Sequence, residues 1–318
     1  MTMANRGVCL LLLMLALLPG VALSRDAPAC REVRLVDVGW SDNAATTGLA
    51  AVLLEGLGYQ PVITYASTRV AFNGMQAGQV DAFLGYWKPS MSPLIEPHVQ
   101  AGHVQVLEQP NLVGAKYTLA VPDYLYERGL KRFSDIARFG AELGQRIHGI
   151  DPGTGGNALI QRMIDSSEFG LAGFKRVESS ETGMLNEVQR AVQQNKAIVF
   201  LGWEPHPMNL QFSIRYLEGG DALFGPHFGE AKVYTVLQAG YERRCPNAAA
   251  LIAKLKFTPR IENEVMAAIV EKTSPLRAAR DWLKKNPAAL APWLSGVGDF
   301  GGGDGLAAVR AALAREKP

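Results

Sequence analysis

Short apolar runs alternate along the chain with longer stretches in which apolar residues recur every three or four positions. The runs VRLVDVG (33–39), PVITYA (61–66) and QVDAFLG (79–85) predict strands, because each is short and bounded by glycine or polar residues. The stretches NAATTGLAAVLLEGLG (43–58) and TRVAFNGMQAG (68–78) between them predict helices. This alternation predicts a βαβαβ unit with parallel strands, and therefore an α/β fold.

The alternation continues beyond residue 90 and then changes. TLAVP (118–122), RIHGID (146–151) and KAIVFLG (196–202) predict further strands, with helical patterns between them. From residue 245 onward the pattern is helical, apart from a glycine-rich connector at 296–305. The chain that remains after removal of a leader is long enough for two lobes of ordinary domain size.

Two segments repeat the same order of features. FLGYW (83–87) and FLGWE (200–204) are each preceded by a helix that ends five residues before the Phe, at Gly78 and at Asn195. Glycine and asparagine are the residues that most readily adopt the left-handed conformation at a helix end. Two explanations stay open: α/β units in general have this order, or two similar lobes each present a strand end to one site.

The first 24 residues have the pattern of a secretory signal peptide. They contain one arginine, an apolar run from Val8 to Leu18, a Pro-Gly break and then the small residues Ala22 and Ser24. The apolar run is short for a membrane span, so the pattern predicts cleavage after Ser24 and export to the periplasm.

Charge and cysteine content narrow the function further. The 318-residue chain has a formal net charge of +2 and no basic stripe, which argues against a nucleic-acid partner. Two cysteines, Cys30 and Cys245, lie outside the predicted leader. A pair of cysteines in an exported protein predicts a disulfide, which would bring the mature amino terminus next to residue 245.

Three predicted strands carry a tryptophan just past a glycine. Trp40, Trp87 and Trp203 follow VRLVDVG, QVDAFLG and KAIVFLG in this way. Because ligands of α/β proteins bind at the carboxyl ends of parallel strands, these three rings are candidates to line a cleft. The alternative is ordinary core packing, which we expect for Trp282 and Trp293 because both lie within helical patterns.

Motifs for catalysis or cofactor binding are absent from the sequence. It contains no GxSxG, HExxH, GxxxxGK[ST] or GxGxxG motif, its five histidines are scattered, and no pair of acids resembles a glycosidase couple. The sequence therefore predicts a binding protein that has no catalytic residues, metal or cofactor.

Three polar residues are candidates for contacts beside the tryptophans. Asp42 could cap the helix that follows it, as could Ser41 or Asn43, or its carboxylate could face a bound cation. Asn157, after DPGTGG, could cap another helix or contact the tail of a ligand. Tyr117 begins a predicted strand where the first αβ region gives way to the second.

Aromatic rings in a cleft are typical of two kinds of ligand. A tryptophan face attracts a cation by ~0.5–1 kcal/mol in water and by about 2 kcal/mol when desolvated, so several rings suit a quaternary ammonium group that has no N–H to donate. Sugars also stack on aromatic rings, but their sites usually contain more carboxylate and amide groups.

Several strings in the sequence resemble one family of proteins. VGWSDNAATT, FLGYWKPSM, GAKYTLAV, GNALI, SSETGML, FLGWEPHPMN and GGDALFGP together are similar to the periplasmic choline-binding proteins of ABC importers, which belong to the glycine betaine and proline betaine binding group. The resemblance runs from about Cys30 to the carboxyl-terminal LAAVRAAL, essentially the whole chain without its leader. One departure is Tyr86, where the family has a small polar residue before the tryptophan.

The resemblance implies a two-lobed, type II periplasmic-binding fold that closes over its ligand. It implies a first lobe from residues 25–115 and 210–318 and a second lobe from 116–209. The aromatic box of the family corresponds to Trp40, Trp87, Tyr117 and Trp203, with Asp42 beside the cation and Asn157 near the choline hydroxyl. The family also has a disulfide at the positions of Cys30 and Cys245.

The implied role is capture of choline and its delivery to a membrane permease driven by an ATPase, by a monomeric binding protein. Glycine betaine or carnitine is the alternative ligand, because each shares the trimethylammonium head. Asp42 favours a net cation, whereas Lys88 or Lys116 would favour a ligand carboxylate if either reached the site. An exported enzyme that acts on choline esters would need a nucleophile and a base that the sequence does not show.

Overall fold

The computed structural model describes residues 25–315. The predicted signal peptide lies outside the described residues. Within residues 25–315, no helix combines the length and the apolar character that are needed to cross a membrane.

The described residues contain ten strands in one mixed sheet. The strands are β1 (Glu32–Asp37), β2 (Gln60–Tyr65), β3 (Ala82–Lys88), β4 (Val104–Val106), β5 (Leu112–Pro122), β6 (Arg146–His148), β7 (Lys175–Val177), β8 (Phe200–Glu204), β9 (Ile214–Tyr216) and β10 (Glu230–Gln238). Their order across the sheet is β2-β1-β3-β10-β5-β8-β6-β7, while β4 also pairs with β10 and β9 also pairs with β5.

The sheet has two parallel halves joined by two antiparallel strands. In the first half β1 pairs in parallel with β2 and β3, and in the second half β6 pairs in parallel with β7 and β8. Strands β10 and β5 lie between the halves and are antiparallel to each other. Strands β3 and β8, which carry FLGYW and FLGWE, therefore occupy equivalent places, and Gly78 and Asn195 before them both have positive φ, of 68° and 50°.

Fifteen α-helices and four short 3₁₀ segments connect the strands within the described range. The α-helices are α1 (Ser41–Gly56), α2 (Thr68–Gln76), α3 (Ser92–Gln100), α4 (Asp123–Glu127), α5 (Gly155–Asp165), α6 (Glu181–Gln193), α7 (Met208–Gln211), α8 (Asp221–Phe224), α9 (Pro226–Gly229), α10 (Tyr241–Arg244), α11 (Pro246–Lys254), α12 (Pro259–Val270), α13 (Pro275–Lys285), α14 (Leu290–Leu294) and α15 (Gly305–Arg315). The 3₁₀ segments are Pro28–Cys30, Phe133–Phe139, Glu168–Gly170 and Pro287–Ala289.

Helix α1 is the central helix of the core. Fourteen of its sixteen residues are buried, so it lacks the polar face of a surface helix. It packs against α12, α13 and α15, and Gly48 permits a close approach: a Cβ there would lie 2.8 Å from the carbonyl oxygen of Pro275. Trp282 and Trp293 are buried among these carboxyl-terminal helices with their rings 6.1 Å apart, which confirms the prediction that both are core residues.

The predicted disulfide between Cys30 and Cys245 is present. The Cα atoms are 5.6 Å apart and the S–S distance is 2.05 Å, both within the normal range. Cys30 lies just before β1, and Cys245 lies between α10 and α11, so the bond links the start of the first strand to the segment that follows β10.

Candidate functional site

A cavity lies between the two halves of the sheet. Its lining residues come from both halves and from the strand that joins them: Trp40, Asp42, Trp87, Ser90, Met91, Tyr117, Ile150, Thr154, Gly155 and Trp203. Five of the six predicted ligand-binding residues are therefore brought together around one space. The exception is Asn157.

Three of the aromatic rings are held by strand register. Tyr117 of β5 pairs directly with Trp203 of β8, and their ring centroids are 6.4 Å apart at 62°. Trp87 of β3 approaches Tyr117 with a centroid distance of 6.0 Å at 53°. Trp87 and Trp203 are the second-to-last residues of their strands and do not lie just beyond them as predicted, because each still pairs with a neighbouring strand, Trp87 opposite Val233 and Trp203 opposite Tyr117. The rings are inclined to one another and border the cavity without stacking face to face.

Trp40 closes the fourth side of the cavity from the amino end of α1. It occupies the N-cap position of that helix, with no side-chain cap, so the prediction that Ser41, Asp42 or Asn43 caps the helix is wrong. The indole N–H of Trp40 donates to Asp151 at 3.2 Å. Because the polar N–H is used in this way, the apolar face of the ring is left to line the cavity.

Asp42 is the carboxylate of the cavity. It is 4% exposed and accepts a hydrogen bond of 2.8 Å from the indole N–H of Trp87. Its pKa is raised to about 6, mainly by burial and also by the nearby charge of Glu181, while the hydrogen bond from Trp87 acts in the opposite direction. A cation in the cavity would favour the ionised form of this group.

Asn157 does not line the cavity, although it lies in the first turn of α5. Its amide N–H groups donate to the carbonyl oxygens of Ile150 and Asp151 and to the carboxylate of Glu178, at 2.8–3.0 Å. Its amide oxygen accepts the N–H of Ile150 at 3.0 Å. The amide thus holds the loop that follows β6, and Asn43 has a related role after β1, where its oxygen accepts the N–H of Val38.

The glycines of DPGTGG allow α5 to approach two other parts of the site. A Cβ at Gly155 would lie 1.9 Å from the carbonyl oxygen of Ser90, and one at Gly156 would lie 2.1 Å from the hydroxyl oxygen of Tyr117. Neither glycine has a positive φ. Close packing against Ser90 and Tyr117 therefore accounts for glycine at these positions.

Three residues that could have altered the ligand preference lie outside the cavity. Tyr86 is adjacent to Trp87 on β3, so its side chain lies on the opposite face of the strand, where its hydroxyl is 2.9 Å from that of Ser92. Lys116 forms an ion pair of 3.1 Å with Glu204. Lys88 lies 5.9 Å from the ring centroid of Tyr234. Among the described residues, no lysine or arginine lines the cavity.

Five lining residues were missed by the sequence reasoning. Ser90 and Met91 follow the strand of Trp87, whereas Ile150, Thr154 and Gly155 belong to the segment after β6. The adjacent glycines were the one available signal for the second group. Nothing in the local pattern around Ser90 and Met91 distinguished them from ordinary loop residues.

Comparison with known proteins places this geometry in a wider group. Residues 31–285 match the family described as the substrate-binding domain of the ABC-type glycine betaine transport system. An ABC-transporter choline-binding protein, solved in complex with choline, is 47% identical to this chain. Its structure matches with a TM-score of 0.88 over 91% of this chain and 100% of that one.

Two more distant relatives bind other ligands. Lactococcal OpuAC, solved in its closed-liganded conformation complexed with glycine betaine, is 26% identical, with a TM-score of 0.75 over 82% of this chain and 98% of that one. The glycine betaine/carnitine transport binding protein GbuC of Listeria monocytogenes is 27% identical over 158 residues, which are 50% of this chain and 52% of that protein. The two solved structures confirm the predicted two-lobed type II periplasmic-binding fold with its site between the lobes. The chain therefore belongs to the family of substrate-binding domains of ABC-type glycine betaine transport systems, whose members serve transport and are not enzymes.

Proposed function

We propose that this substrate-binding protein captures choline and delivers it to the permease of an ABC importer. The observation that carries the proposal is the composition of the cavity: four aromatic rings and one buried carboxylate line it, and no cationic side chain of the described residues does so. The 47% identity to a choline-binding protein supports the same ligand.

The four rings suit a trimethylammonium group. Trp40, Trp87, Tyr117 and Trp203 are each no more than 9% exposed, so a cation among them is largely desolvated. Each ring then contributes roughly 1–2 kcal/mol of cation–π attraction, and four rings together supply enough for binding near micromolar before the cost of association.

The charges around the cavity favour choline over glycine betaine. Asp42 faces the site, and Asp151 and Glu181 lie just behind the residues that line it. A ligand carboxylate would be repelled by these groups and would find no lysine or arginine of the described chain as a partner there. Carnitine carries the same carboxylate, so the same argument disfavours it.

The proposed roles of the polar residues follow from their contacts. Asp42 neutralises the ammonium charge, and Ser90 and Thr154 supply hydroxyl groups within the cavity for the hydroxyl of choline. Asn157 positions the loop that follows β6 and does not reach the ligand, because both of its amide N–H groups are already bonded to protein oxygens.

The proposed lobes meet along β5 and β10. We place the first passage of the chain from the first lobe to the second at 115/116, within β5. This strand pairs with β10 up to Lys116 and with β8 from Lys116 onward. The chain then returns from the second lobe to the first. Strand pairing supports a return near residue 229 in place of 209/210, because β9 pairs with Ala120–Pro122, the part of β5 that belongs to the second lobe. Residues 25–115 and about 230–318 then form the first lobe, and about 116–229 the second.

Export and partners complete the proposal. The leader at 1–24 directs the chain to the periplasm and is removed after Ser24. Bound choline favours the closed arrangement of the lobes, which then docks on the permease, and a cytoplasmic ATPase drives import.

Titration calorimetry with choline, acetylcholine, glycine betaine and carnitine, together with intrinsic tryptophan fluorescence, tests this function. We expect tight binding of choline, at least tenfold weaker binding of glycine betaine and carnitine, and no response to maltose. Absence of heat and of a fluorescence change with every quaternary amine would refute the proposal, and a preference for glycine betaine would reverse the choice of ligand.

A further inference from the structure

We propose that Glu181 is a positioning residue for ligand binding, which holds Trp40 and Asp42 in place from the opposite lobe. This inference rests on the proposed function, since the affected property is affinity for a quaternary ammonium ligand. Glu181 belongs to the second lobe and lines no part of the ligand cavity. It acts through other residues, without contact to the ligand.

Glu181 is bonded to the amino end of α1. One carboxylate oxygen accepts the backbone N–H of Ser41 at 3.1 Å, and the other accepts the hydroxyl of Ser41. The two residues are 140 positions apart in the chain and are 5% and 8% exposed. Ser41 lies between Trp40 and Asp42, so this contact fixes the backbone that carries both ligand-binding side chains.

The contact takes the place of a helix cap. The first N–H groups of a helix have no partner within the helix and need one from elsewhere. Trp40, at the N-cap position of α1, supplies no side-chain acceptor. A carboxylate from the second lobe fills that need, and a negative charge is favourable at a helix amino end. When the lobes separate, the acceptor leaves with the second lobe.

His206 holds Glu181 on its other side. The Nδ1 atom of His206 accepts the backbone N–H of Met208 at 3.0 Å, which assigns the proton of the neutral ring to Nε2. Nε2 lies 3.2 Å from the carboxylate of Glu181, to which it therefore donates. The imidazole also packs against Trp203, with ring centroids 5.0 Å apart. Through His206, Glu181 thus connects the amino end of α1 to Trp203 of the second lobe.

A second hydrogen bond between the lobes also holds Trp40 in place. The indole N–H of Trp40 donates to Asp151, in the loop after β6. The Trp40 ring is therefore held to the second lobe on one side by Asp151, while its backbone is held beside Ser41 by Glu181. The two contacts exist only while the lobes are together, so they add to the stability of the ligand-binding arrangement without favouring one quaternary ammonium cation over another.

The test compares Glu181→Ala, Glu181→Gln and Ser41→Ala with Glu187→Gln in the full-length mature protein. Glu187 is a half-exposed residue of the same helix that pairs with Arg190 and lines no part of the ligand cavity. Choline and tetramethylammonium are the probes, at pH 8, with affinity from calorimetry and dissociation rates from stopped-flow tryptophan fluorescence. We expect Glu181→Ala to weaken both ligands by the same factor, about tenfold or more, through faster dissociation. Glu181→Gln, which keeps one acceptor oxygen, should recover part of the loss.

Further readouts separate positioning from general stability and from ligand contact. Ser41→Ala should weaken binding in the normal protein but have no further effect in the Glu181→Ala background, because both changes remove one contact. Thermal unfolding of the unliganded variants should stay close to that of the unaltered protein. Unchanged dissociation rates, unequal effects on the two ligands, or an equal loss in Glu187→Gln would overturn the inference while leaving choline binding intact. Failure of the unaltered protein to bind either probe would overturn the proposed function as well.

Discussion

Lowering the pH should weaken choline binding, because the cavity contains a carboxyl group whose pKa is already shifted upward. Asp42 is buried, and its pKa is raised to about 6 by burial and by the charge of Glu181. A bound cation stabilises the ionised form of Asp42 and not the protonated form. Affinity should therefore rise as the pH rises through about 6 and fall below it.

The size of the effect follows from that pKa. About nine tenths of the Asp42 groups are ionised at pH 7 and about one tenth at pH 5. If only the ionised form binds choline, affinity falls about tenfold between these two values, which corresponds to about 1.4 kcal/mol. Binding at pH 5 should release close to one proton for each ligand, and binding at pH 7 almost none.

Calorimetry measures both quantities. Titrations from pH 5 to pH 8 in pairs of buffers with different ionisation enthalpies report the affinity and the number of protons released. Asp42→Asn should bind choline more weakly at pH 7 and lose the dependence on pH. Asp37 also has a pKa raised to about 6, by burial, but it lies outside the ligand cavity, so Asp37→Asn is the matched control and should keep the profile. A flat profile in the unaltered protein, or an unchanged profile in Asp42→Asn, would refute the reasoning.

The same pKa shift affects the unliganded protein. Because the pKa of Asp42 in the folded chain lies above its usual value of 3.8, the group favours the folded state below about pH 4, and this contribution is lost as the pH rises through about 6. Asp42→Asn should accordingly raise the free energy of unfolding at pH 8, by up to about 3 kcal/mol, and change it little at pH 4. Urea unfolding at the two pH values measures the difference.

Three further changes test the packing around the site. Trp203→Ala should weaken choline binding by ~1–3 kcal/mol with an unchanged far-UV circular dichroism spectrum, because it removes one ring face from the cation. Gly155→Ala should weaken binding at least tenfold by calorimetry, since its Cβ would lie 1.9 Å from a backbone oxygen of the opposite wall; Ala158→Ser, an exposed change in the same helix, should not. Replacing Cys30 and Cys245 together by serine should lower the free energy of unfolding in urea by ~2–5 kcal/mol and leave choline affinity unchanged.

The contrary results are equally specific. Loss of helical circular dichroism signal in Trp203→Ala would show that the main role of this ring is to stabilise the fold and not to contact the ligand. Normal affinity in Gly155→Ala would show that α5 need not approach Ser90 for binding. A large change in affinity without the disulfide would mean that the bond constrains the cleft as well as the first lobe.

The sequence predicted best those residues whose position depends only on the strand that carries them. A tryptophan near the end of a buried strand follows directly from hydrophobic periodicity, which is why the pattern of apolar residues predicted Trp87 and Trp203 as candidates for the edge of a cleft, with core packing as the alternative. Tyr117 was different, because its place in the middle of β5 depends on pairing with β8 and β10. Only the resemblance to a family singled it out.

The roles of residues that act across the contact between the lobes could not be predicted from the local sequence pattern. Glu181 has the pattern of an ordinary acidic residue at a helix start, and His206 that of a loop residue between two prolines. Asn157 illustrates the same limit. Its position at a helix start is equally compatible with a ligand contact and with support of the preceding loop, and only the three-dimensional structure shows its hydrogen bonds to the carbonyl oxygens of Ile150 and Asp151.

The Cys30–Cys245 bond closes a covalent ring that includes every strand from β1 to β10. A protease that cuts one peptide bond anywhere within this ring produces two polypeptides that stay joined, so the damage is visible on a gel only after reduction. The cut pieces cannot diffuse apart, and β3, β5 and β8, which carry three of the aromatic residues of the cavity, remain tethered to one another. In a compartment that contains proteases and no cytoplasmic reductants, a single bond outside the ligand cavity thus allows a nicked molecule to remain one particle.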